Sequence, residues 1–318
     1  MLERVIGFTF LLASGYVLAL GALVWYTFHT LTHPPRRTYS WAVSRKRPGD
    51  PGEVVPALPF RAFTVRSRDA DLSAWEIEGK VPDGPTIIIT GGWGESKVTM
   101  LERAVYIAQL AGSVIVWDLP GHGESHGHTS LGAHESEDLI SLAKSLPVKD
   151  IFFFGYSLGA GVSIEAAARN QIPHFRGVIA EAPYRLPITP ARNVLIQMGL
   201  PHGINIQVAM MLIGLRLGYG LDFGTSKLFD RENHARVLKS PLLVIHGDLD
   251  VICPPLDGVA ISRAANGRYR LIKGGDHVNL WTREGSRNQA FSAVETFCRD
   301  VLSNRTIDDA KSVEQPSR

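Results

Sequence analysis

The chain reads as an α/β fold, a mostly parallel sheet flanked by helices, with a helical lid insertion late in the sheet and an apolar N-terminal transmembrane helix ahead of it. Three observations predict this. From about residue 60 onward short apolar runs alternate with longer segments of helical spacing, the pattern of strand-helix-strand units that build a parallel sheet covered on both faces. The apolar run 151–154 enters a Gly-x-Ser-x-Gly turn and then a helix of small residues. Residues 5–28 carry no formal charge and are apolar or small throughout.

Residues 1–33 form the expected membrane anchor. Its uncharged core of about 24 residues makes roughly 36 Å of helix, enough to cross a hydrocarbon layer of about 30 Å with some tilt. Trp25 and Tyr26 fall near its far end, where amphipathic rings favour an interface. A cleaved signal peptide is the competing reading, but only Arg4 and the terminal amine stand against Glu3 before an apolar run that is too long for one. Arg36, Arg37, Arg45, Lys46 and Arg47 crowd the other flank, so the positive-inside rule puts the following domain in the cytoplasm.

Residues 34–59 are rich in proline and basic residues, lack sustained periodicity, and are expected to be a linker that lifts the domain off the bilayer. The catalytic domain is expected over 60–302. Its strand-like segments are 60–65 and 73–78, an antiparallel pair about the polar turn 68–71, followed by 86–90, 113–118, 150–154, 177–180, 242–246 and 269–272. Helical spacing marks 97–111, 131–146 and 158–169. Between 183 and 231 no strand signal occurs, and the Met-bearing apolar stretch 204–217 is flanked by glycine and proline. This is the lid or cap insertion: an apolar wall for an acyl chain, a second membrane-surface element, or a plain core helix. The polar, aperiodic residues 303–318 are expected to be a disordered tail.

Bulk properties narrow the function. Lys and Arg number 33 against 31 Asp and Glu, a net charge of +2, so no field draws nucleic acid. Cys253 and Cys298 are too few for a disulfide framework and lack paired spacing for zinc or thiol redox chemistry. His126, His128 and His134 lie close together, but in a loop expected to be exposed, and no metal is expected. Gly91, Gly92 and Gly94 follow a strand without the Lys-Ser/Thr or full glycine pattern of a nucleotide loop, so no cofactor is expected either.

The residues that carry chemistry are spaced along the sheet. Gly155 and Gly159 flank Ser157 and permit a strained strand-to-helix turn that projects the hydroxyl at a helix N-terminus. A serine hydroxyl needs a base and an orienting acid. The run 241–246 leads into a loop with Asp248 and Asp250, and His277 follows the short strand 269–272. His277 takes the serine proton in this reading, and either aspartate can fix its tautomer.

With these motifs in this order, the chain resembles the α/β-hydrolase family over 60–302, and in particular its membrane-anchored lipase-like and esterase-like members. The resemblance implies the α/β-hydrolase fold. It makes Asp250 the acid, from His246-Gly247-x-x-Asp250, with Asp248 second. The strand-three loop is matched by Thr90–Ser96, with Gly91 where the family usually has histidine. The implied oxyanion donors are the backbone amides of Leu158 and Trp93, or Gly92 if the loop is aligned from the strand end. His122, in the matched strand-four turn 118–125, is expected to be a structural hydrogen-bonding residue. The implied activity is hydrolysis of carboxylic esters or thioesters of small or lipid acyl substrates through an acyl-enzyme. Acyltransferase or peptidase chemistry on the same triad and a non-catalytic receptor or scaffold are the alternatives.

Overall fold

The structure is a computed structural model that describes residues 1–68 and 70–313. Eight strands form one sheet in the order β1-β2-β4-β3-β5-β6-β7-β8. They are β1 Phe60–Ser67, β2 Ala70–Glu78, β3 Thr86–Thr90, β4 Ser113–Trp117, β5 Ile151–Tyr156, β6 Phe175–Glu181, β7 Leu242–Gly247 and β8 Arg268–Ile272. The β1-β2 and β2-β4 pairs are antiparallel and the other five are parallel.

The central strands are buried from end to end because helices cover both faces, which is why they read as continuous apolar runs and not as alternating ones. Side chains still alternate between faces. Ile87, Ile89, Phe152 and Phe154 join one core with Trp75, Trp281 and Phe297, while Ile88 and Phe153 join another with Ile115, Leu139 and Val162. Among the described residues ten α-helices accompany the sheet: α1 Leu2–Thr32, α2 Tyr39–Val43, α3 Leu101–Ile107, α4 Glu135–Ser145, α5 Leu158–Ala168, α6 Ile188–Gln197, α7 Ile204–Leu217, α8 Arg231–Arg236, α9 Pro255–Ala264 and α10 Glu284–Val313. α3 is shorter than the helical spacing over 97–111 suggests. Its N-terminal side is spent on a turn in which the Ser96 N–H donates to the Thr99 hydroxyl and the Lys97 N–H to the Asp118 carboxylate.

Between β6 and α8 the chain leaves the sheet and builds α6 and α7 over the C-terminal strand ends. This insertion has a core of its own, in which Leu195, Ile206, Met210, Phe223 and Phe229 pack with Leu131 and with Leu31 of α1. The first half of α1 is exposed on nearly every side, but Val24, Thr27 and Leu31 are buried and Leu20, Leu23 and Phe28 partly so. That spacing is one stripe of a helix, and α1 packs against α7. The Asn205 amide, 1% exposed, donates to the Thr27 hydroxyl at 2.9 Å.

Two expectations are corrected. Residues 34–59 are not an extended linker: Arg36 donates to the carbonyls of Gly123 and Ser125, Arg37 pairs with Glu95, and Ala42, Val54 and Leu58 are buried in the main core. Their apolar side chains are too widely spaced to register as a periodic element. The tail expected to be disordered from Ser303 instead continues α10 to Val313, with no glycine or proline between Gly285 and Val313 to break it. Residues 314–318 lie outside the described residues.

Candidate active site

Strand register assembles the site. Thr90 at the end of β3 pairs with Gly155 near the end of β5, so the loop after β3 and the turn after β5 emerge side by side. This is the carboxyl edge of a doubly covered sheet, where such folds bind ligands. Ser157 sits in that turn at φ 54° and ψ −111°, a left-handed backbone conformation that a non-glycine residue adopts only when its surroundings enforce it. The enforcement is visible in its neighbours. A Cβ on Gly155 would lie 2.2 Å from the Gly159 carbonyl oxygen, and one on Gly159 would lie 2.1 Å from that of Thr90. Only glycine allows β3, β5 and α5 to meet so closely.

His277 comes from the loop after β8, and its Nε2 lies 3.2 Å from Ser157 Oγ. Its Nδ1 lies 2.8 Å from Asp250 Oδ2. A carboxylate only accepts, so the ring proton is on Nδ1 and Nε2 is left as the acceptor for the serine hydroxyl. Asp250 Oδ1 accepts the backbone N–H groups of Ile252 and Cys253 at 2.9 and 2.8 Å. Burial would raise this carboxyl, but the hydrogen bonds from His246 and His277, the His277 charge and the Cys253 amide outweigh it and hold Asp250 well below the usual carboxylate range. Asp248 is exposed and accepts from the Gly274 N–H at 2.8 Å. The structure brings Ser157, His277 and Asp250 together and leaves Asp248 outside.

The amides of Leu158 and Trp93 are in no backbone hydrogen bond among the described residues, and both residues line one cavity with Ser157 and His277. Gly92 lines it too and faces Ser157: a Cβ there would lie 3.2 Å from Ser157 Cβ. The cavity measures about 260 Å³, at the small end of ligand sites. Its remaining wall is largely apolar, with Leu131 and Ile252 from the sheet side, Val194 and Leu195 from α6, Met210 from α7, and Thr30 and Leu31 from α1. The Trp93 indole N–H donates to the Leu31 carbonyl at 3.0 Å.

Several contributors carry no sequence signal because they join segments far apart in the chain. Arg103 binds Glu181 in a two-pronged pair at 2.9 and 2.6 Å, the Trp281 indole donates to the same carboxylate, and the Glu181 carbonyl accepts the Ser157 N–H at 2.8 Å. The Tyr156 hydroxyl donates to the His277 carbonyl at 2.9 Å, tying the His277 loop to the strand that leads into Ser157. Cys253 Sγ lies 3.9 Å from Ser157 Oγ, and burial pushes its thiol well up, so it faces the Ser157 hydroxyl as a neutral group. Its position three residues after Asp250 was the one available hint. His122 is fully buried and its Nδ1 lies 3.0 Å from the Pro120 carbonyl. Among the described residues no three His, Cys, Asp or Glu side chains group as metal ligands.

A glycine-flanked serine in a strained elbow, opposite a loop histidine, defines the class of fold in which strand-end loops carry hydrolytic chemistry. Residues 87–294, well over half of the sequence, match the alpha/beta hydrolase family, and the chain belongs to it. Among solved structures it is similar to the esterase Pf2001 of Pyrococcus furiosus, with a TM-score of 0.64 at 20% identity, covering 85% of this chain and 98% of that one. Est1E of Butyrivibrio proteoclasticus, solved with ferulic acid bound, matches with a TM-score of 0.57 at 21% identity over 76% of this chain and 100% of its own. The thioesterase domain of the curacin biosynthetic pathway matches with a TM-score of 0.53 at 13% identity over 74% and 99%. These likenesses establish the fold. α1 is long and apolar enough to cross a membrane by length and composition, a test that a signal sequence also passes.

Proposed function

We propose that the chain is a membrane-anchored serine hydrolase that cleaves carboxylic esters or thioesters of lipid-like acyl substrates. The observation that carries the proposal is the hydrogen-bond chain Ser157–His277–Asp250, at 3.2 and 2.8 Å, opening into an apolar cavity. Ser157 Oγ attacks the acyl carbonyl as His277 Nε2 takes its proton. The amides of Leu158 and Trp93 receive the developing oxyanion, and Asp250 stabilises the imidazolium. His277 returns the proton to the leaving alkoxide or thiolate. Water, deprotonated by the same nitrogen, then releases the acid from the acyl-enzyme.

The anchor reading draws support from packing. Cleavage after an N-terminal signal would take Leu31 and Phe28 out of the lid core and remove the buried Val24 and Thr27 beside them, which supports an uncleaved α1. The residues ahead of that stripe, Leu2 to Ala19, still give about 27 Å of helix, close to one hydrocarbon thickness. The basic residues that follow α1 favour a cytoplasmic domain.

The test is labelling by a fluorophosphonate probe in isolated membranes. Wild type is expected to label and Ser157→Ala not to; a label that survives Ser157→Ala assigns the nucleophile elsewhere. Lipid analysis of cells carrying either form is expected to show a lipid ester or acyl thioester that accumulates with Ser157→Ala, and no accumulating species argues against the lipid substrate.

A further inference from the structure

The membrane-helix reading leaves α1 as a tether, yet its last turn reaches the catalytic cavity. Thr30 and Leu31 form part of the same wall as Ser157 and His277. Leu31 is 5% exposed and packs with Ile206 and Met210 of the lid. The final carbonyls of a helix have no partner within it, and that of Leu31 is taken by the indole of Trp93, whose own amide sits in the strand-three loop. One helix end therefore touches both the acyl pocket and the loop beside the nucleophile. The Asn205 to Thr27 bond, buried one turn earlier, pins the lid helix to the same face.

Resting on the serine-hydrolase reading, we propose that the last turn of α1 is a specificity-determining wall of the active site: the acyl chain lies between Leu31 and the lid residues Leu195 and Met210, and Leu31 sets the chain length accepted. The geometry gives the sign. A larger side chain at 31 projects into the cavity and shortens it; a smaller one lengthens it. Each methylene excluded from an apolar pocket costs about fourfold in kcat/KM, so a loss of room for three methylenes gives roughly 60-fold.

The experiment uses the full chain in detergent or nanodiscs with p-nitrophenyl esters from acetate to dodecanoate. Leu31→Trp is expected to lower the octanoate-to-acetate ratio of kcat/KM at least tenfold, and Leu31→Ala to raise the dodecanoate-to-octanoate ratio at least fourfold. Leu18→Trp, on the exposed part of the same helix, keeps the wild-type ratios. Should Leu31→Trp fail to fold, Leu31→Ala, which only removes atoms, carries the test. Ratios within twofold of wild type in the folded Leu31 variants overturn the proposal while leaving the triad intact. A wild type that no fluorophosphonate labels at Ser157 instead overturns the reading beneath it.

Discussion

The Arg103–Glu181 pair offers the sharpest energetic test because it is sealed from water directly behind Ser157. Arg103 is 2% exposed and Glu181 0%. Replacing Arg103 by Met keeps most of the side-chain volume and leaves the Glu181 carboxylate buried with only the Trp281 indole as a donor to it. Breaking one side of such a pair costs about 3–5 kcal/mol. At about 2–4 °C per kcal/mol for a domain of this size, the melting temperature should fall by about 6–20 °C. Adding Glu181→Leu removes the stranded charge. The double variant then keeps only smaller penalties, among them about 1–3 kcal/mol for the orphaned indole N–H, and should be more stable than Arg103→Met alone by about 2 kcal/mol. Urea unfolding of the four proteins, followed by circular dichroism, gives the cycle. If Arg103→Met loses under 1 kcal/mol, or the double variant loses the sum of the singles, the pair is not coupled as described. Activity should fall with stability, since the Glu181 carbonyl holds the Ser157 N–H.

Three further outcomes are expected. Asp250→Asn should lower kcat on a short p-nitrophenyl ester on the order of 10³- to 10⁴-fold by presenting His277 in the wrong tautomer, while Asp248→Asn, exposed and with its carboxylate accepting from the Gly274 amide, should change it less than threefold; a steady-state comparison reversing the two reassigns the acid. Gly159→Ala, whose Cβ would lie 2.1 Å from the Thr90 carbonyl oxygen, should cost about 3 kcal/mol or more, or abolish soluble expression, and a thermal melt within about 2 °C of wild type contradicts the packing. Burial and the Arg231 charge hold His234 at about 4 against an ordinary 6.5. Because its folded value is depressed, its contribution is complete above pH 6.5 and is lost as pH falls towards 4, up to about 3 kcal/mol. Denaturation at pH 7 and 4.5 should therefore show a smaller acid loss in His234→Gln than in wild type, and parallel losses refute the assignment.

Local patterns made the strands legible, since 87–89 and 151–154 are apolar without a break and must be buried on both faces. Ser157, Asp250 and His277 were legible as candidates because each follows a strand that ends in a recognisable turn. The order of strands was not, since nothing in β2 says that it lies between β1 and β4. Partners distant in sequence stayed hidden for the same reason: Arg103 and Glu181 are 78 residues apart, and Thr27 and Asn205 are 178 apart. The stretch 34–59 misled because its charges and prolines outnumber the three apolar side chains that dock it. α1 announced itself by hydropathy alone, a signal blind to which of its faces meets protein.

That face bears on how the enzyme would meet its substrate. With no free stalk between α1 and the domain, a bilayer holding α1 also holds the domain at one attitude, unable to pivot. Under the proposed lipid substrate the pocket mouth would then keep a constant height above the bilayer, and encounter would become a search in two dimensions, governed by lateral diffusion and by the thickness of the surrounding membrane.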